Sequence, residues 1–321
     1  MRKLFPFLIL LMGLGTACLR PEAPIPAYDP GNVIQEQVLM QPNYEDQIWY
    51  DLGSQKIVSS NKKVAWDLAF GCSDSVDLIY LNTSLAMQAV VIQQQQFEDV
   101  QTASGLDFFP DHPTGLHDSL ALRDMKPDGS FAIVDLGYTP SGSRRGYRKI
   151  QLLDAESGSY QVRFANLDGS DEQNLTIIKD ERFNVRMVSL LSGEVVDIEP
   201  EKDSYDLLFT QYMEVFYDPF LPYLVTGVLI NPYHTEVAED QENSFESIQG
   251  PQLSDYRFYT ERNVIGFDWK EFDLDQNLFT IFPDHNFIIR DSEGGIFKLH
   301  FLDFYDENGA KGSPRFDFQR L

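Results

Sequence analysis

Cysteine is almost absent from this 321-residue sequence: Cys18 and Cys72 are the only two. A disulfide framework cannot hold such a chain together, and zinc sites built from cysteine pairs are excluded with it. Basic residues are scarce too, 25 Lys and Arg against 50 Asp and Glu, for a formal charge of −25. A surface of that sign repels phosphate backbones, which excludes a basic groove for nucleic acid. No HExxH, CxxC or GxSxG motif and no phosphate-cradling glycine loop occurs. Without a nucleophile and base or a metal cluster, the chain reads as a non-enzyme. No long apolar run follows residue 18, and the first one falls short of the roughly 18 to 20 residues that cross a bilayer.

What is present begins with MRKLFPFLILLMGLGTAC, residues 1–18: a basic start, an apolar stretch, and small residues before a cysteine. This pattern is an export signal, and its ending resembles a bacterial lipobox, so Cys18 is the expected site of lipidation. An acylated chain sits on a membrane without spanning it. Residues 19–42 open with Pro21, Pro24, Pro26 and Pro30 and read as a tether. With Cys18 lipidated, Cys72 has no partner for a disulfide, and FGCSDSVD offers it no basic neighbour. A buried, inert thiol is expected.

The rest of the chain looks like one unit used twice. Trp66-Asp67-Leu68 and Phe70 correspond to Tyr205-Asp206-Leu207 and Phe209, 139 residues on. Leu81-Asn82 corresponds to Ile230-Asn231 at an offset of 149, and FEDV from Phe97 to FESI from Phe245 at 148. Leu152–Phe164 is aligned with Ile289–Phe301 at an offset of 137. Ordered self-similarity at a long period is what tandem duplication leaves behind. The reading is a first β domain over 43–177 and a second over 178–321. Nothing at the junction resembles a flexible linker, so the halves are expected to pack closely or share a sheet.

Both halves are strand-rich. Tyr160, Val162 and Phe164 alternate with polar residues, as do Phe297, Leu299 and Phe301, which places one set on a core face and turns His300 to the opposite face, toward solvent or a neighbouring strand. Asp306-Glu307-Asn308-Gly309 carries hairpin-turn chemistry. Short helices are expected at Glu98–Gly105 and Ser244–Gln249. Residues 111–130 have no strand period and read as a long loop, and Tyr217–Tyr223 is an exposed aromatic and proline segment. A calcium loop at Asp168 is disfavoured, because it offers few of the six or more oxygens a hard ion needs. Asp67 and Asp206 are expected to be structural carboxylates that accept backbone N–H groups at a sheet edge.

Of the five histidines, His112 and His117 share the long loop, His234 and His285 lie in turn-like stretches, and His300 lies on a strand. YDLGSQ, then WDLAF, then Leu81-Asn82 and the final FIIRDSEGGIFKLHFLDFY together resemble the HmuY-like haem-binding lipoproteins of Bacteroidota. The resemblance implies an all-β fold, here tandem HmuY-like antiparallel β domains with a few short helices. It also implies a lipid-anchored outer-membrane protein, at the cell surface or on the periplasmic face, that binds haem and hands it to a TonB-dependent receptor. Family members hold the iron between paired His or paired Met side chains. The first unit supplies Met87, His112, His117 and Met125 as candidates, with His112 and His117 as the metal-ligating pair; the second supplies Met213 and His234. The alternative is a cofactor-free surface lipoprotein that docks an outer-membrane receptor or uptake partner.

Overall fold

Strand formation follows the aromatic and β-branched runs of the sequence. The computed structural model describes residues 31–73, 75–155 and 158–321, so the signal segment, Cys18 and the start of the tether lie outside the described residues. In chain order the strands are β1 (Ile34–Gln37), β2 (Asp46–Asp51), β3 (Lys56–Lys62), β4 (Leu68–Gly71) and β5 (Ile79–Leu81). Next come β6 (Gln88–Ile92), β7 (Phe131–Asp135), β8 (Tyr147–Asp154), β9 (Ser159–Ala165) and β10 (Gln173–Ile178). They are followed by β11 (Val185–Ser189), β12 (Glu194–Val196), β13 (Leu207–Tyr217), β14 (Phe220–Ile230) and β15 (Glu236–Asp240). The chain closes with β16 (Lys270–Asp273), β17 (Leu278–Ile281), β18 (Asn286–Arg290), β19 (Ile296–Tyr305) and β20 (Lys311–Arg320).

These strands form antiparallel sheets stacked through three hydrophobic layers. Two are outer sheets, ordered β1-β20-β19-β18-β15 and β10-β9-β8-β7-β6; two are inner, ordered β14-β13-β2-β3 and β12-β11-β4-β5. One layer joins Ile48, Leu207 and Phe209 to Phe287, Leu299 and Phe316. A second joins Leu68 and Phe70 to Val134, Ile150 and Tyr160. The third, between the inner sheets, contains Trp49, Trp66, Ala69, Met187, Leu208 and Tyr212. Buried area of this kind is the main favourable term in folding.

The expected boundary at 177/178 falls inside β10, and strands from either side of it share both inner sheets: β2 pairs with β13, and β4 with β11. Residues 31–321 form one compact unit. Ile34–Gln37, within the segment read as a tether, is an edge strand on β20, and Val38 and Met40 behind it are fully buried.

The same set of hydrogen bonds occurs at two places. Asp67 N donates to Val188 O, and Asp67 Oδ2 accepts from Leu190 N at 2.7 Å; Asp206 N donates to Tyr50 O, and Asp206 Oδ2 accepts from Leu52 N at 2.8 Å. Asn82 Nδ2 donates to Lys63 O and Trp66 O, and Asn231 Nδ2 to Lys202 O and Tyr205 O. Lys149 Nζ donates to Phe97 O and Val100 O, and Lys298 Nζ to Phe245 O and Ile248 O. The expected carboxylate role of Asp67 and Asp206 is therefore seen, with each carboxylate clasping a strand from the opposite half of the sequence.

Three expectations change. With Lys149 and Lys298 on like strands, β8 and β9 hold the places of β19 and β20. The aligned pair Leu152–Phe164 and Ile289–Phe301 thus sits one hairpin apart, since an acidic turn with glycine suits any tight hairpin. At the β19–β20 turn, Gly309 takes a φ of +78° and Asp306 Oδ1 accepts from Asn308 N and Ala310 N. Glu98–Gly105 holds no helix, and the 244–249 stretch holds one 3-10 turn, Phe245–Ser247. His300 does not face water: it stacks 4.1 Å from Phe245, and its Nδ1 lies 2.7 Å from Pro283 O. The segment after β15 covers that face of β19, so both faces of the strand are buried. Cys72 is buried, as expected.

Candidate functional site

Alternation along β2 and β13 sends Tyr50 and Phe209 into one layer and Trp49, Leu208 and Tyr212 into the next. The inner sheets do not close fully on this second face. They leave a cleft of about 1160 Å³, open mouth included, walled by Trp49, Trp66, Tyr80, Met187 and Tyr212. Its polar groups are mostly saturated: Gln47 Oε1 accepts from Trp66 Nε1 at 2.8 Å and Asn61 Nδ2 at 2.9 Å, and Gln47 Nε2 donates to Thr210 Oγ1. At the far end Glu199 accepts from Val185 N, Asn184 Nδ2 and Tyr205 Oη, and burial pushes its carboxyl up. The Arg262 guanidinium lies 5.5 Å from the Tyr80 ring centre, and its Nε has no hydrogen-bond partner.

Asp111 ties the long loop to this cleft. Its Oδ2 accepts from Leu81 N at 2.6 Å and its Oδ1 from Ala121 N at 2.8 Å, while burial pushes the carboxyl up to about 7. The clamp sets His112, the next residue, on the partition between the inter-sheet cleft and an open groove beside β6 and the β13–β14 tip. His112 Nδ1 lies 3.0 Å from Thr114 Oγ1 and 3.4 Å from Thr114 N, and its Nε2 makes no hydrogen bond among the described residues. Burial lowers its pKa and favours the neutral ring. The His112 ring is 6.1 Å from Tyr217 at an interplanar angle of 21°, and Phe220 lies 6.1 Å from Phe109 and 6.2 Å from Tyr217. The Phe109, Tyr217 and Phe220 rings are exposed, Tyr217 to 70%. The aromatic segment read as exposed from the sequence is thus the tip of a long hairpin, with Phe109 and His112 added from the loop.

The other candidates lie apart from this groove. His117 is at the surface, with Nδ1 3.1 Å from Asp118 Oδ1. Met87 and Met125 pack in one hydrophobic layer with Leu85 and Leu122. Met213 is buried, and His234 takes a φ of +56° with its ring against Tyr233. At Asp168 the neighbouring carboxylates are engaged: Asp171 binds Arg148 and Glu172 binds Arg163. Among the described residues no three His, Cys, Asp or Glu side chains are placed to hold a metal ion, and no helix is long and apolar enough to cross a membrane. Sequence reasoning missed the inter-sheet cleft. Its one signal was the period-two set Leu208, Thr210 and Tyr212, which is hidden because the opposite face of β13 is equally apolar.

Stacked antiparallel sheets with an aromatic cleft and groove define an antiparallel β-sheet protein. Residues 43–318 match the family described as HmuY protein, and the chain belongs to that family. It is not an enzyme, since proteins of this family are non-catalytic. No curated protein matches the chain. Among solved structures, apo PinO from Porphyromonas gingivitis shows 11% identity and a TM-score of 0.36, with 91% of this chain and 98% of that chain covered. The apo HmuY analogue of Tannerella forsythia shows 8% identity and a TM-score of 0.24, with 92% and 99% covered. A HmuY-like protein from Bacteroides vulgatus shows 7% identity and a TM-score of 0.23, with 89% and 90% covered. These scores are low, and the family rests on the match over residues 43–318.

Proposed function

We propose that the protein is a lipid-anchored haem-capture protein of the outer membrane, tethered through Cys18, that passes haem to a TonB-dependent receptor. Membership of the HmuY family supports a haem-handling role. The observation that carries the site is His112: a half-buried neutral imidazole with Nδ1 engaged, set against the exposed rings of Phe109, Tyr217 and Phe220. A planar macrocycle stacks on such rings, and an imidazole Nε2 is a legitimate axial ligand to its iron. His117, on the same loop but outside the groove, is the proposed second ligand once that loop moves toward the iron, with Met87 and Met125, now packed in the hydrophobic layer, as the thioether alternatives.

We also read the chain as two diverged copies of one β module. The paired clasps of Asp67 with Asn82 and Asp206 with Asn231, and the paired lysines Lys149 and Lys298, support that reading. On it, the modules exchange strands through the inner sheets.

The deciding experiment is a haemin titration of the mature protein read by absorbance. A sharpened Soret band that is lost in His112→Ala and weakened in His117→Ala is the expected result; an unchanged haemin spectrum with the wild-type protein overturns the proposal. Exposure of Phe216, Tyr217, Phe220 and Leu221 on one projecting tip also favours cofactor-free docking to a membrane receptor. Recovery of the same receptor from outer membranes with and without haemin is the result that reading expects.

A further inference from the structure

On the other side of Tyr212 lies a second cleft, of about 980 Å³ with its open mouth included, that the haem reading does not use. Tyr212, Glu214 and Phe216 alternate along β13 and present a hydroxyl, a carboxylate and a ring to it in a row. The facing wall is the segment carrying Asn263, Gly266 and Asp268, held to β14 by reciprocal bonds between Val228 and Gly266. Two features separate this cleft from a patch of solvated acids. Tyr212 is 1% exposed, yet its hydroxyl is buried without a hydrogen-bond partner, an unusual state for a buried donor. That hydroxyl and Asp268 Oδ1 each lie 3.6 Å from the point a Cβ on Gly266 would occupy, so the two oxygens flank a small hollow left open by the glycine. Neither Glu214 nor Asp268 forms a salt bridge among the described residues, Glu214 accepting only from Val215 N and, at 3.5 Å, from Asn263 Nδ2, whereas Glu239 at the exposed side of the same cleft lies 2.9 Å from His285 Nε2.

We propose that this cleft binds a guanidinium group, with Glu214, Asp268 and the Tyr212 hydroxyl as acceptors and Phe216 as the stacking face. The acceptors surround a volume and do not converge on a point, and no three carboxylate or imidazole groups in the described residues are placed for a metal ion. A flat cation with several N–H donors fits separated acceptors and an aromatic wall. The neighbourhood carries a negative charge in keeping with the chain's −25, so approach of a cation is favoured at long range. The group can arrive as a free small molecule or as an arginine side chain of a protein partner.

The test is calorimetric titration of the full mature protein with agmatine and, separately, with an Ala-Arg-Ala amide, at matched ionic strength. Saturable one-site binding of either probe is expected. Glu214→Gln should weaken it about 10-fold or more, as for a lost charge-assisted bond. Tyr212→Phe, which removes only the unpartnered oxygen and leaves the packing intact, should weaken it about fivefold. Binding of both probes assigns the site to a guanidinium of either source, and binding of the peptide alone assigns it to a partner's arginine. Absence of saturable binding with both probes, or equal affinities in wild type and the two variants, overturns the proposal.

Discussion

Arg145 Nη1 lies 2.7 Å from Asp67 Oδ1, with side chains 5% and 0% exposed, whereas Asp206, which makes the same backbone bonds, forms no ion pair among the described residues. Two like carboxylates are thus held in unlike electrostatic settings. Asp67→Ala strands a buried guanidinium as well as the Leu190 N–H, and should cost about 3 to 5 kcal/mol. Asp206→Ala leaves the Leu52 N–H unpaired and should cost about 1 to 3 kcal/mol. Urea melts of both variants check this, and equal losses would remove the role given to Arg145.

Burial, followed by the nearby Asp51 and Asp291 charges, pushes the Asp206 carboxyl up to about 8. Its unfolded value is about 3.9, so between these limits the folded state holds a proton that the unfolded state has released. The stability this proton contributes is complete below about pH 4 and is lost as pH rises to about 8. Asp206→Asn should flatten that part of the stability profile. Denaturant midpoints of wild type and variant across pH 4 to 8 give the comparison, and parallel profiles would contradict it.

Asn82 and Asn231 each bridge two backbone carbonyls from the turn before an inner strand. Replacing either by Ala should cost about 1 to 3 kcal/mol. The Nδ2 bonds are alike, but among the described residues Asn82 Oδ1 accepts from Ser84 Oγ alone whereas Asn231 Oδ1 accepts from Asn184 Nδ2 and Tyr233 N, so the loss at Asn231 should be equal or somewhat larger. A large loss at one and none at the other would count against equivalent clasps.

Met87 and Met125 fill a hydrophobic layer, so truncation to Ala should cost about 2 to 5 kcal/mol. Replacement by Leu should cost less than about 1.5 kcal/mol. A Soret band retained in both Leu variants but lost in His112→Ala would assign the iron to imidazole; a band lost in a Leu variant would assign it to that thioether.

Tyr217 and Phe220 stand at the β13–β14 tip with large exposed areas. Tyr217→Ser and Phe220→Ser should leave stability within about 0.5 kcal/mol while weakening haemin binding measured by absorbance. Unchanged haemin affinity in both variants would take the tip out of the site.

Local chemistry was legible from the sequence because it is written in neighbouring residues. The alternation of Tyr160, Val162 and Phe164 placed a strand face correctly, Asp306 to Gly309 marked a hairpin, and the lone Cys72 was rightly read as buried. For His300 the alternation left solvent and a neighbouring strand both open, because it reports one covered face and cannot show that the segment after β15 covers the other and excludes solvent. The tryptophan and tyrosine before Asp67 and Asp206 revealed two related stretches, but not that each carboxylate would clasp the other half.

The amino-acid order alone determined an antiparallel, cysteine-poor, acidic β protein with two similar acidic stretches and an aromatic hairpin tip, since periodicity, turn residues and composition act over a few neighbouring positions. Tertiary structure alone decided that β2 would pair with β13 and β4 with β11, that a cleft would open between the inner sheets, and that His112 would meet Tyr217. Those outcomes depend on which hydrophobic faces find each other across more than a hundred residues, and no local pattern records that choice.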